Sequence, residues 1–109
     1  MKHTVLCIDC GTQSIRALIF DSEGNLLIKY KKVFEPYLSS EPGRYEADPK
    51  MFYNDMKEVC LGARSMDKEC YDHVEAISVT TQRDTSIIVD EHGEPIRNAI
   101  IWMDERTAD

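Results

Sequence analysis

A short apolar run, Val5-Leu6-Cys7-Ile8, leads into Asp9-Cys10-Gly11-Thr12-Gln13-Ser14-Ile15-Arg16 and leaves through a second, Ala17-Leu18-Ile19-Phe20. Two strand-length runs joined by a short polar segment with a glycine predict a β-hairpin. Its tip holds what a phosphate-handling turn needs. Asp9 puts a carboxylate at the strand end, where it can accept from water in the shell of a magnesium ion. Gly11 removes a side chain, so backbone N–H groups can approach phosphate oxygens closely. Thr12, Gln13 and Ser14 add short donors, and Arg16 adds a permanent positive charge. A plain turn is the competing reading, because Asp, Gly and Thr are common turn residues.

The 109 residues fit one domain with a modest core, and 42% apolar with 30% charged residues is a soluble globular composition. A net charge of -7 argues against a nucleic-acid partner, whose phosphates would be repelled. The one basic cluster, Lys29-Tyr30-Lys31-Lys32, reads as a solvated strand. No run approaches the roughly 20 apolar residues that span a membrane, and the run before Asp9 is too short for a secretory leader. A cytoplasmic protein is expected. Cys7 and Cys10 have C-x-x-C spacing, but residues three apart on a strand face opposite ways and no second pair completes a zinc set. All four cysteines therefore read as free packing thiols, with no direct metal site.

Further along, strands are predicted over about Thr4–Ile8, Ser14–Phe20 and Leu26–Phe34, forming a meander. Pro36 and Ser39-Ser40-Glu41-Pro42-Gly43 mark a loop. Asp48-Pro49 is a helix start, and Phe52, Met56, Val59, Cys60 and Ala63 recur at helical spacing as a core stripe. Gly62 weakens the helix, and the charged stretch Asp67–Asp72 is expected to end it. A buried strand, Val74–Thr80, and a second hairpin around Asp90–Glu94 follow, and Met103–Asp109 reads as a first helical turn. Leu18-Ile19-Phe20-Asp21-Ser22-Glu23-Gly24 and Ile87-Ile88-Val89-Asp90-Glu91-His92-Gly93 share one shape, which supports two hairpins around one mixed sheet.

Thr80-Thr81-Gln82-Arg83-Asp84 lies at a strand end, where open α/β sheets place ligands. An amide, a guanidinium and a carboxylate side by side can serve vicinal hydroxyls, as a sugar or polyol requires; an Arg83–Asp84 surface pair is the structural alternative. With Asp9–Arg16, this segment resembles the FGGY carbohydrate kinases, which include glycerol, xylulose and gluconate kinases. The order of the other motifs matches too: Pro42-Gly43-Arg44-Tyr45-Glu46-Ala47-Asp48-Pro49, Thr81-Gln82-Arg83-Asp84-Thr85 and Asn98-Ala99-Ile100-Ile101-Trp102-Met103-Asp104-Glu105-Arg106-Thr107.

The resemblance implies an α/β, ribonuclease H-like (actin-like ATPase) domain with a mixed sheet, a β-meander and a helix. It implies a kinase that moves the γ-phosphoryl of ATP to a sugar or polyol hydroxyl with Mg2+. By analogy Asp9 would sit by magnesium through water, and Gly11, Thr12, Gln13, Ser14 and Arg16 by the ATP phosphates. Gln82, Arg83 and Asp84 would meet the substrate, with Trp102 as an apolar wall. Glycerol kinases carry Glu where this chain has Asp84 and Thr where it has Gln13. A carboxylate shorter by about 1.5 Å leaves a related polyol or ketose at least as suitable as glycerol. The family's catalytic base and adenine pocket lie beyond residue 109. Residues 1–109 are thus expected to be the N-terminal part of the N-terminal domain, inactive alone, with homo-oligomers of the parent left open. The alternatives are a non-catalytic actin-like nucleotide-binding scaffold or sensor, for which the Gln82-Arg83-Asp84 triplet has no use, and a nuclease, which the acidic balance disfavours.

Overall fold

Three strands open the chain as an antiparallel meander: β1 (Thr4–Cys10), β2 (Ser14–Asp21) and β3 (Leu26–Val33). This computed structural model describes residues 3–35 and 37–108; the loop expectation at Pro36 and the helix expectation at Asp109 lie outside the described residues. Leu6 and Ile8 of β1, Ile15, Ala17 and Ile19 of β2, and Ile28 of β3 alternate onto one buried face. Each large side chain buried there contributes about 1.5–3 kcal/mol.

The repeated turn is real at the level of single hydrogen bonds. Asp21 Oδ1 accepts from the N–H of Glu23 and Asn25, and Gly24 N–H donates to the Asp21 carbonyl. Asp90 Oδ1 likewise accepts from His92 and Glu94, and Gly93 N–H donates to the Asp90 carbonyl. Both glycines hold positive φ, +86° and +80°, where a side chain would be strained. The second arm does not join the main sheet, however. Among the described residues it is held by isolated bridges, Ser86 to Ile100 and Val89 to Pro95, and by Ile96 N–H donating to the Ile88 carbonyl.

After a two-residue strand, β4 (Glu46–Ala47), come α1 (Pro49–Met66), α2 (Lys68–Asp72), β5 (Val74–Thr80) and β6 (Ala99–Ile100). The main sheet runs β3-β2-β1-β5 with β5 parallel to β1, while β4 and β6 pair separately. This is the expected mixed sheet with meander and crossover helix. Asp48 caps α1 as predicted, its Oδ1 accepting from Lys50 N–H at 3.0 Å. Val59 and Ala63 are fully buried against the sheet, with Phe52 edge-on to Phe34 at 6.4 Å.

Four expectations are corrected. The stretch Asp67–Asp72 does not only end α1: Asp67 accepts from Cys70 N–H and starts α2. Lys32 is not solvated with its neighbours, because the alternation turns it toward α1, where its Nζ lies 2.7 Å from Asp55 Oδ1 and also meets Glu58. Asp55 is only 6% exposed, and this pairing is what makes its place in the apolar stripe tolerable. β5 is not buried: α1 lies over β2 and β3, so Ile77 and Val79, beside Leu6 and Ile8, stay 64% and 56% exposed. Residues 103–108 form turns rather than a helix, because Asp104 Oδ1 takes Arg106 N–H and locks the chain there.

Gly62 has a packing reason that propensity hides. A Cβ there would stand 2.5–2.6 Å from three ring atoms of Tyr30, whose ring end occupies the space beside the helix at Gly62. Helix propensity favours Ala over Gly by about 1 kcal/mol. Overpacking costs roughly 1–3 kcal/mol and wins. Gly62→Ala is expected to destabilise by about 1 kcal/mol alone and to become neutral or stabilising on a Tyr30→Ala background. Urea midpoints of the four proteins test this, and equal effects on both backgrounds would refute it.

Candidate functional site

The hairpin tip is tight. Gly11 N–H donates to the Ser14 carbonyl at 2.9 Å, and a Cβ on Gly11 would come within 3.1 Å of that oxygen. Phe34 N–H donates to the Gln13 carbonyl at 3.1 Å, tying the tip to the chain after β3. Gly11 thus serves the turn itself. Among the described residues the tip's N–H groups without a partner are those of Thr12 and Gln13.

Asp9 does not end a strand, as the sequence suggested, because β1 continues to Cys10. It lies in the ladder directly opposite Arg16, on the sheet face away from α1. Arg16 Nη2 is 3.4 Å from Asp9 Oδ2, with both side chains about a third exposed. At that exposure the pair contributes little to stability. Arg16 Nε is buried and has no partner among the described residues. Lys31 stands opposite Arg16 on the next strand, so the same row carries a second cation.

The second constellation reaches this tip by direct hydrogen bonds. Gln82 Nε2 donates to the Gly11 carbonyl at 2.8 Å, and Gln82 Oε1 accepts from Thr85 Oγ1 at 2.7 Å. Asp84 between them has φ +68°, a left-handed conformation that Asp tolerates better than most residues and that folds Thr85 back onto Gln82. Trp102 is half-exposed; its indole N–H donates to Thr12 Oγ1 at 2.9 Å and its backbone N–H to Thr85 Oγ1 at 3.2 Å. Gly11, Thr12, Gln82 and Trp102 are therefore one assembly. Arg83 and Asp84 are exposed on the same loop, and Arg83 has no ion-pair partner among the described residues. The surface pair of Arg83 with Asp84 does not form.

Sequence reasoning gave Thr85 no site role of its own and read Cys10 only as a packing thiol. A cleft of about 210 Å³ beside the tip is lined by Cys10, Phe52, Thr81, Gln82, Thr85 and Ile87. Burial, then Asp9 and Asp55, push the Cys10 thiol above its ordinary value, so it stays protonated at neutral pH. Only its position at the strand end beside Asp9 could have signalled it.

Behind the site is an ion knot. Asp104 Oδ2 accepts from Tyr45 N–H and Arg106 Nη2, both at 2.7 Å, and Oδ1 from Arg106 Nε at 2.8 Å. Arg106 Nη2 also reaches Glu46 Oε2 at 2.8 Å, and Arg97 approaches the same oxygen at 3.2 Å. The Arg106 guanidinium holds the Asp104 carboxyl well below the usual range, and Arg106 itself is pushed up by Asp104 and Glu46. This knot joins β4 to the segment after β6, whose Trp102 forms part of the site.

The sequence model of the N-terminal domain of the FGGY family of carbohydrate kinases matches residues 4–109. The chain belongs to the FGGY carbohydrate kinases. It is 39% identical over 106 residues to a glycerol kinase from Burkholderia cenocepacia, covering 96% of this chain and 21% of that protein. With a glycerol kinase from Petrotoga mobilis it is 38% identical over 109 residues, covering 99% and 22%. The chain thus spans about a fifth of the length of the curated relatives it matches. Among solved structures, a xyloylose kinase from Brucella ovis superposes with a TM-score of 0.92 at 22% identity, over 95% of this chain and 22% of that one. A Plasmodium falciparum glycerol kinase with ADP gives 0.85 at 32% identity, over 96% and 21%. The FGGY fold, an α/β domain of the actin-like ATPase class, is therefore the one seen here.

Proposed function

We propose that this FGGY domain supplies the phosphate-facing turn and one wall of the sugar site of an ATP-dependent carbohydrate kinase. The whole protein would move the γ-phosphoryl of ATP to a hydroxyl of a sugar or polyol. The observation that carries this reading is the junction of the two motifs: Gln82 bonds the Gly11 carbonyl and Trp102 bonds the Thr12 hydroxyl. A phosphate donor held at one motif and a hydroxyl acceptor at the other would then lie close enough for in-line transfer, whose rate comes mostly from positioning and electrostatics.

In that role the Thr12 and Gln13 N–H groups, the Thr12 and Ser14 hydroxyls and the Arg16 guanidinium donate to phosphate oxygens, with Gly11 keeping the turn tight. Arg83 and Asp84 bind substrate hydroxyls, the Trp102 ring packs on the carbons, and Gln82 braces the loop. Asp9 suits magnesium through water. Its Oδ1 has no partner among the described residues and can accept from a coordinated water. Magnesium, when bound, neutralises phosphate charge. Four free cysteines suit a reducing cytoplasm, and no described helix is long and apolar enough to cross a membrane.

The test is coupled ADP release by the whole protein over a panel of polyols and ketoses, with the 109 residues alone as a comparison expected to be inactive. Sugar-stimulated ADP formation by the whole protein is the expected result. Nucleotide binding with no response to any sugar would favour a nucleotide-switched scaffold instead.

A further inference from the structure

We propose that the Thr85 hydroxyl is a positioning group that locks the phosphate turn to the sugar-facing loop, so that each ligand raises affinity for the other. This rests on the kinase reading above and deepens it.

Some atoms at this junction can only donate a hydrogen bond and others can only accept one. The Gly11 carbonyl can only accept, so the Gln82 amide must turn its Nε2 toward it, at 2.8 Å. That leaves Gln82 Oε1 facing Thr85, and an amide oxygen can only accept as well. The Thr85 hydroxyl proton therefore goes to Gln82, at 2.7 Å. Its lone pair is left for Trp102 N–H, a pure donor 3.2 Å away. The indole N–H of Trp102 is also a pure donor, 2.9 Å from Thr12 Oγ1. Thr12 Oγ1 must accept there, which frees the Thr12 proton to donate outward.

The result is a circuit whose polarity is settled at every link, running from Gly11 through Gln82, Thr85 and Trp102 to Thr12. The same ring that would carry the substrate's carbons orients the Thr12 hydroxyl as a donor beside two backbone N–H groups without a partner among the described residues. That is the arrangement an anionic phosphate oxygen requires. A sugar that settles the Trp102 ring therefore settles the Thr12 donor, and a phosphate held by Thr12 steadies the ring. Thr85 is the one hydroxyl through which both halves of the circuit pass. It touches neither ligand in this scheme and acts through Gln82 and Trp102.

Thr85→Val keeps the side-chain shape and removes both bonds; Thr85→Ser keeps the hydroxyl and serves as the rescue. In the whole protein, the dissociation constant of the non-hydrolysable ATP analogue AMP-PNP with magnesium is measured by calorimetry with and without saturating glycerol or xylulose. Wild type and Thr85→Ser are expected to gain about tenfold in AMP-PNP affinity from the sugar. Thr85→Val is expected to gain less than about twofold. Full coupling in Thr85→Val, or equal loss in Thr85→Ser, overturns the inference. So does a wild type that binds both ligands without mutual effect, which leaves the kinase reading standing. A wild type that binds neither AMP-PNP nor sugar overturns both.

Discussion

Arg83→Ala in the whole protein is expected to lower kcat/KM for the sugar by about 100-fold or more, while AMP-PNP binding in the absence of sugar stays within about twofold of wild type. The size follows from chemistry. A guanidinium bound to a substrate hydroxyl gives a charge-assisted hydrogen bond, and a substrate group left unpaired in a closed site adds its desolvation cost. The selectivity follows from the structure. Arg83 is exposed and has no ion-pair partner among the described residues, so its removal breaks no salt bridge of the fold there. Thermal unfolding of the variant should match wild type. An unchanged sugar kcat/KM would remove Arg83 from the substrate site. A parallel loss of AMP-PNP binding would mean that the loop, rather than the guanidinium, had been disturbed. Lys31→Ala is not equivalent, since Lys31 lies beside Arg16 and not in the 82–85 loop.

Asp104→Ala should destabilise the fold strongly, lowering the melting temperature by roughly 10 °C or more. The side chain is 2% exposed and takes four hydrogen bonds, from Tyr45 N–H, Arg106 N–H and the Arg106 guanidinium twice. Removing it leaves the Arg106 guanidinium partly buried with only Glu46, and leaves Tyr45 N–H without its acceptor. Sequence patterning does not mark Asp104 as structural, because an Asp among Glu105 and Arg106 looks like surface.

The knot also sets a pH dependence. Asp104 has its folded pKa lowered, first by the Arg106 side chain and then by backbone N–H groups. Glu46 is lowered by the same guanidinium. A carboxylate lowered on folding contributes stability that is fully present above its unfolded value, near 4, and is lost as pH falls through the folded one. Melting temperature should therefore be flat from about pH 7 to 5 and fall below about pH 4. The fall should be shallower in Asp104→Ala than in wild type. Equal slopes in the two proteins would show that other carboxylates carry the acid sensitivity.

Features that depend only on neighbours along the chain are legible in the letters. Short apolar runs bounded by turn residues marked β1, β2 and β3, because run and boundary both lie within a few consecutive positions. Asp48-Pro49 started α1, because a cap needs only its own next turn. The Asp21 and Asp90 turns came out alike because their bonds all lie within four residues. The two candidate motifs were legible for the same reason.

How distant side chains are used emerges when the chain packs. Cross-strand register set Asp9 against Arg16, and alternation turned Lys32 toward Asp55 while its neighbour Lys31 went the other way. The crossing of α1 over β2 and β3 left β5 open, although its letters read as core. Gln82 and Trp102 became braces of the hairpin tip at Gly11 and Thr12 through bonds spanning 71 and 90 positions. Local preference is written in consecutive residues; a partner that far away is chosen only when packing brings the two backbones together.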